Sequence, residues 1–196
     1  MAITNGYTTL ANVKAALRLT DSVDDALLEQ AVEGSSRRID GYCGRFFYQK
    51  TATISLFAYD PWNQPVGDLV SVTTLKTDEN ADGTYETTWA ATDYLLEPTN
   101  AVLQTRPYNR IVAKAGRTFP LTTMPPLPLV QINGVWGWSA VPDDVEQACL
   151  LLTLRSFARL NASLGVLGFA DMAIQVRSID PDVRDLLSPY MNLGIA

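Results

Sequence analysis

The sequence predicts an α+β protein: a small α-helical bundle built from the N- and C-terminal helices, with an inserted antiparallel β domain. Three observations carry this. Apolar residues recur at helical spacing up to about residue 50 and again from Val141; between them the period falls to two; and Pro, Gly, Thr and Asn become frequent there. The 196 residues, 47% hydrophobic and 18% charged, describe a globular chain of one or two domains that needs neither metal nor disulfide to hold a core. The expected division is 1–50 with 138–196 for the helical domain and 51–137 for the β domain, which must leave and return at nearby points.

Leu10, Val13 and Leu17 form the first helical stripe, with Thr8 or Thr9 as its cap. Asp24 or Asp25 opens a second helix with the stripe Leu28, Val32, Ser35, Ile39, Tyr42 and Phe46, widened by Leu27, Ala31 and Cys43. Glu33 and Arg37 stand at i and i+4, in the order that suits a solvated helix face. Ile54, Leu56 and Ala58 then alternate with Thr53, Ser55 and Phe57 as a first strand, and the two prolines within 60–67 read as a loop. Further strands are expected at 69–77, 83–90, 94–97, 101–104, 111–114 and 129–135. Pro142, Asp143 and Asp144 suit a helix start, and Val145, Ala148, Cys149, Leu152, Ser156 and Arg159 trace one line of that helix. The stretch 161–170 breaks it with Gly165 and Gly168 yet keeps Leu164, Val166, Leu167 and Phe169, an apolar loop that implies core anchoring or a partner surface. A last short helix follows Asp180 and Pro181, carrying Val183, Leu186, Leu187, Tyr190 and Met191.

Composition narrows the function. With 15 basic and 21 acidic side chains the net charge is −6, opposite to the basic stripe that gripping DNA requires. The absence of histidine removes Ser-His-Asp and Cys-His nucleophile systems, the HExxH zinc site and the common general base near neutral pH. Two cysteines, Cys43 and Cys149, make neither a zinc set nor a CxxC pair and read as small core hydrophobes. No apolar run approaches the roughly 20 residues of a membrane span. MAITNGYTTL lacks the basic start and apolar stretch of a secretory signal, so assembly in a cytoplasm is expected.

Candidate chemistry is sparse. Asp78, Asn80 and Asp82, with Gly83 and then Glu86, imitate the opening of a calcium loop, but position twelve is Trp89 and strands flank it. A polar hairpin turn, with Asp82 and Gly83 at positive φ, accounts for the same residues. A metal-dependent hydrolase using Asp78, Asp82 and Glu86 is the remote enzymatic alternative; otherwise no catalytic, cofactor or metal site is expected. The pairs Asp24/Asp25 and Asp143/Asp144 sit where helix N-termini favour negative charge. Trp136 and Trp138 lack the interleaved Arg or Lys of a nucleic-acid stacking platform. Binding other proteins is the work these residues imply.

The same residues resemble the head-tail connector, or head-tail adaptor, family of long-tailed bacteriophages. The opening helices match its pattern at Val13, Lys14, Leu17, Arg18, Asp24, Asp25, Leu27, Leu28, Ile39, Tyr42 and Arg45. The segments VPDDVEQACLLLTLRSFARLNASLGVLGF and DPDVRDLLSPY are similar to the closing helices of adaptors that carry a β insertion. The resemblance implies a virion structural protein and no enzyme: a ring, of twelve subunits as is usual in the family, beneath the portal. That ring extends the DNA channel toward a stopper or tail-completion protein, and DNA passes it without specific binding. It implies a heterologous ring contact, which Leu164, Val166, Leu167 and Phe169 help to build, and portal engagement through Leu186, Leu187, Tyr190, Met191 and the tail. The alternative within the same class is another phage neck or tail-completion component.

Overall fold

The computed structural model describes residues 2–122, 124–161 and 180–192. Four α-helices and six strands follow one another along these residues, and the chain divides into two units, Met1–Phe47 with Val141–Ala196, and Tyr48–Ala140.

In the helical unit, α1 (Leu10–Leu17) starts where the Thr9 hydroxyl accepts the Asn12 N–H at 3.1 Å, satisfying one orphan donor of the first turn. Arg18, left-handed at φ 57°, ends it. Helix α2 (Asp25–Cys43) has Asp24 at the capping position, but the Asp24 side chain makes no capping bond. Gly44, at φ 65°, stops α2 before the expected stripe is complete. Phe46 is therefore half-buried outside the helix, and Phe47 takes the fully buried place. Val13, Leu28, Val32 and Phe157 form one core cluster across α1, α2 and α3 (Asp143–Asn161), with Leu10, Leu17, Leu150 and Leu154 packed around it. Each such buried side chain contributes about 1.5–3 kcal/mol. Leu27, expected to widen the α2 stripe, points away and is exposed.

Cys43 and Cys149 are free and buried, as core hydrophobes. Burial pushes the Cys43 thiol up to about 11 and raises that of Cys149 too, so neither offers a reactive thiolate near neutrality. Helix α4 (Pro181–Leu187) has proline at its first turn, Val183 and Leu187 buried, and Asp180 before it paired with Arg155.

The second unit is a sheet of six antiparallel strands: β1 (Lys50–Leu56), β2 (Asn63–Thr77), β3 (Thr87–Trp89), β4 (Tyr94–Glu97), β5 (Tyr108–Ala113) and β6 (Val130–Trp136). Their order is β1-β6-β2-β5-β4, with β3 on β2. Val130, Ile132, Gly134 and Trp136 alternate inward along β6, the period-two signature of a half-buried strand. Three strand expectations change. The loop read over 60–67 ends at Trp62, and β2 runs on through Pro65, which sits at the register shift between Pro65 and Leu69 where a missing N–H is tolerated. Of 83–90 only Thr87–Trp89 pairs, and 101–104 coils as a 3-10 turn at Val102–Gln104. Gly134 lies so close to β2 that a Cβ there would stand 2.2 Å from the Ser71 carbonyl oxygen. The chain enters through β1 and leaves through β6, paired from Lys50↔Trp136 to Leu56↔Val130, and the Gln49 amide donates to the Ser139 carbonyl at 2.8 Å. The architecture is α+β, as the periodicity predicts.

Candidate interaction surfaces

In the helical unit, α4 and the 3-10 turn Ser188–Tyr190 carry the expected C-terminal residues. Leu187 is fully buried and closes the helical core, Leu186 and Tyr190 are half-buried, and Met191 is exposed. The Tyr190 ring packs edge-on against Phe47 with centroids 5.8 Å apart, and its hydroxyl donates to Asp144 at 3.1 Å. The Asn192 N–H, bonded to the Cys43 carbonyl at 2.8 Å, pins the segment to the end of α2. Between α3 and α4 lies an open groove of about 620 Å³ lined by apolar Leu151, Leu186 and Pro189 and by acidic Asp144, Asp182 and Asp185. Such a surface suits an apolar segment flanked by basic residues. Leu164, Val166, Leu167 and Phe169 lie outside the described residues.

The same corner is braced by residues that the sequence did not single out. The Tyr7 hydroxyl donates to Asp40 and accepts the Phe47 N–H at 2.8 Å, while the Tyr7 ring meets Phe47 edge-on at 5.6 Å. Burial, then the bond to Asp40, drives the Tyr7 phenol far above its ordinary range. Burial also raises the Asp40 carboxyl, outweighing the bond from Tyr7 and the charge of Arg37. Glu33 and Arg37 do not serve as a solvated pair on α2. Glu33 accepts the N–H groups of Thr4 and Asn5, and Arg37 donates to the Asn5 carbonyl at 2.8 Å and pairs with Asp40 at 3.1 Å, so both strap the N-terminus down. The N-terminal partners, Thr4 and Asn5, lie about thirty positions away in sequence, beyond the reach of a local pattern.

In the β unit, the carboxylates of Asp78, Asp82 and Glu86 come within 4.8 Å of one another. Asp78 is buried and uses both oxygens on the turn itself, accepting Ala81 N–H and Gly83 N–H at 2.8 Å each. Asp82 accepts the Thr84 N–H at 2.7 Å, which with the Thr84 hydroxyl holds its carboxyl below the ordinary range. Ala81 and Gly83, not Asp82, take positive φ. What this arrangement does chemically is close the turn. Trp136 and Trp138 are 4% exposed, their indole N–H groups donating to the Ala52 carbonyl at 3.0 Å and to Asp68 at 3.2 Å, so neither ring offers a stacking platform. The large apolar side chains left open in this unit include Phe57, Tyr59, Trp62, Val102, Leu103 and Met124. Sequence reading missed them because exposure, not residue type, distinguishes them. Among the described residues no helix is long and apolar enough to cross a membrane.

Residues 7–67 match the family model described as phage gp6-like head-tail connector protein. No curated protein matches the chain. Among solved structures, the whole chain aligns with a chain of the neck of an empty GTA particle computed with C6 symmetry, at TM-score 0.62 and 21% identity over 95% of that chain. It aligns likewise with a chain of the neck of a native GTA particle computed with C12 symmetry, at TM-score 0.60 and 23% identity over 94% of that chain. A chain of the virion of a native gene transfer agent particle matches at TM-score 0.59 and 23% identity, over 95% of its length. At these identities the likeness is one of fold. The resemblance to head-tail connectors that the opening helices carry is thus found by a sequence family model over residues 7–67.

Proposed function

We propose that this chain is a structural protein of a phage or phage-like neck: a head-tail adaptor that assembles as a ring beneath the portal, extends the DNA channel and joins the capsid to a stopper or tail-completion protein. The observation that carries the reading is the conjunction of the connector family match over 7–67 with full-length fold likeness to chains of GTA necks. A ring of twelve copies is supported by the C12 symmetry of one similar neck. The net charge of −6 supports a channel wall that repels phosphate and lets DNA slide. Work of this kind asks for surfaces rather than a reaction centre, and the described residues bring together a groove and apolar projections rather than a nucleophile with its base. The place of action is the virion, with assembly in the host cytoplasm.

The portal-facing surface in this reading is the α3–α4 groove with Leu186, Tyr190 and Met191, and the stretch bearing Leu164, Val166, Leu167 and Phe169 serves the portal or the neighbouring subunit. Leu187 acts from beneath, holding α4 in place. Deleting 188–196 abolishes portal binding while circular dichroism keeps nearly all helicity; unchanged binding removes the C-terminal assignment.

The decisive experiment mixes the purified protein with the portal ring of its own particle, isolates the complex by size and images it by negative stain. A ring stacked coaxially on the portal is the expected result, and its subunits are counted directly. Absence of binding, with both partners folded and salt varied, moves the protein to a lower station in the neck or tail.

A further inference from the structure

We propose that the apolar tip of the β unit is a contact between adjacent copies of this chain, received by the Val102–Leu103 turn of the neighbour; this rests on the ring reading above. Six large side chains in two loops stand open: Phe57, Tyr59 and Trp62 at 42%, 75% and 52% exposure, and Leu121, Met124 and Leu127 at 49%, 93% and 37%. Backbone bonds from Thr122 to Ala58 at 2.9 Å and from Phe119 to Pro61 at 2.8 Å tie the loops together. Phe57 and Tyr59 stack with centroids 6.5 Å apart. Beneath them Ala58 and Phe119 are buried, and Phe119 stacks on Trp89 at 4.7 Å.

The tip is held in shape before any partner arrives. Asp60 accepts the N–H groups of Trp62 and Asn63 at 2.7 and 3.0 Å, and the Thr122 hydroxyl both donates to the Leu127 carbonyl at 2.7 Å and accepts the Leu127 N–H at 3.0 Å. A surface so fixed loses little entropy on docking. Its six residues leave roughly 700 Å² uncovered, close to the roughly 800 Å² each partner contributes to a stable interface.

Charge selects the occupant. Each copy carries −6, so copies repel one another at long range. From Thr118 to Pro142 there is no charged side chain, and Asp60 is the only one from Thr51 to Asn63. Like-charged copies can touch at this tip without setting carboxylate against carboxylate. Ring closure then needs a second, different surface on the same chain. The Ala113 N–H, bonded to the Trp62 carbonyl at 2.9 Å, puts Trp62 beside the last residue of β5, whereas the Val102–Gln104 turn precedes its first residue, Tyr108. Val102 and Leu103 are 70% and 84% exposed over buried Ala101. The two apolar projections thus lie at opposite ends of a strand about 20 Å long, the disposition a head-to-tail contact requires.

The test reconstitutes the ring on the portal with wild type and with the triple variant Tyr59→Ser/Trp62→Ser/Met124→Ser, whose changes are all at exposed positions. Wild type fills rings cooperatively; the variant binds as isolated copies, with Hill slope near one and at least tenfold weaker occupancy. A variant that fills rings as wild type does overturns the proposal. If wild type itself does not bind the portal, the adaptor reading fails, and the contact is decided separately on free protein at high concentration. There the double variant Leu103→Cys/Met124→Cys is oxidised; Cys43 and Cys149 are buried and do not compete. A ladder of dimers, trimers and longer chains supports the head-to-tail contact, and a dimer alone or no product overturns it.

Discussion

Asp60 shows how one carboxylate shapes a surface. Bonds from the Trp62 N–H, the Asn63 amide and the Asn63 N–H favour its charged form and hold its carboxyl below the ordinary value. Because the folded value is depressed, the bonds stabilise the loop fully above the unfolded value of about 3.9 and are lost as pH falls through the folded one. The amide proton shifts of Trp62 and Asn63 are therefore expected to titrate with a midpoint below about 3.9, and to stay flat in Asp60→Asn. Gly134 is the opposite case, a position defined by what it lacks. Adding one methyl 2.2 Å from the Ser71 carbonyl oxygen forces β6 from β2, and Gly134→Ala is expected to cost about 2–4 kcal/mol. Urea unfolding followed by tryptophan fluorescence reads it directly, since Trp62, Trp89, Trp136 and Trp138 all belong to the β unit. Neither role was legible in the sequence. Asp60 falls there in an expected loop and Gly134 in an expected strand with no role of its own, because both depend on partners that only the fold brings near. The Glu33 and Arg37 straps were hidden for the same reason.

At the scale of elements, local signals were read well wherever local physics decides. Thr9 caps α1 as its side chain predicts, and Thr9→Ala is expected to cost about 1 kcal/mol; faster amide exchange at Asn12, whose N–H loses its acceptor, checks the mechanism. Tyr94–Glu97 pairs over the expected residues, and β6 is displaced by only one residue. The misread strands have one cause, a tertiary contact that outranks a local preference. Pro65 and Gly67 mark a loop by composition, yet β5 offers β2 a partner, and the bulge after Pro65 absorbs the missing donor. Ala101 reads as strand, but its buried methyl anchors a turn whose carbonyl accepts both Gln104 and Arg106 N–H groups. Phe46 and Phe47 exchange roles because Gly44 ends α2 at Cys43, short of Phe46, where the expected stripe ends. Of the C-terminal candidates, the family resemblance set Leu187 beside Leu186 and Met191, and only burial separates the core residue from half-buried Leu186 and exposed Met191.

For the whole molecule, the switch in period from 3.6 to 2 and back carried the fold class, and the opening helices carried the family resemblance. The surfaces were the illegible part, since an exposed Tyr59 and a buried Trp136 look alike as letters. The β unit holds its own core, with Leu69, Leu75, Ile111 and Ile132 all buried. Residues 48–140 made alone are expected to unfold cooperatively in urea with a blue-shifted tryptophan emission; a broad, non-cooperative loss of signal would show that the sheet needs the helices.

The stem of paired β1 and β6, bridged by Gln49 and Ser139, also governs how the helices find one another. When the sheet is unfolded, α2 and α3 are joined by a long floppy tether whose ends must be gathered at a cost of several kcal/mol. Once the sheet forms, those ends are already side by side, and the effective concentration of one helix at the other rises sharply. The insertion thus assists the bundle through connectivity alone. Whatever its far loops touch, the stem delivers the chain to the same doorway.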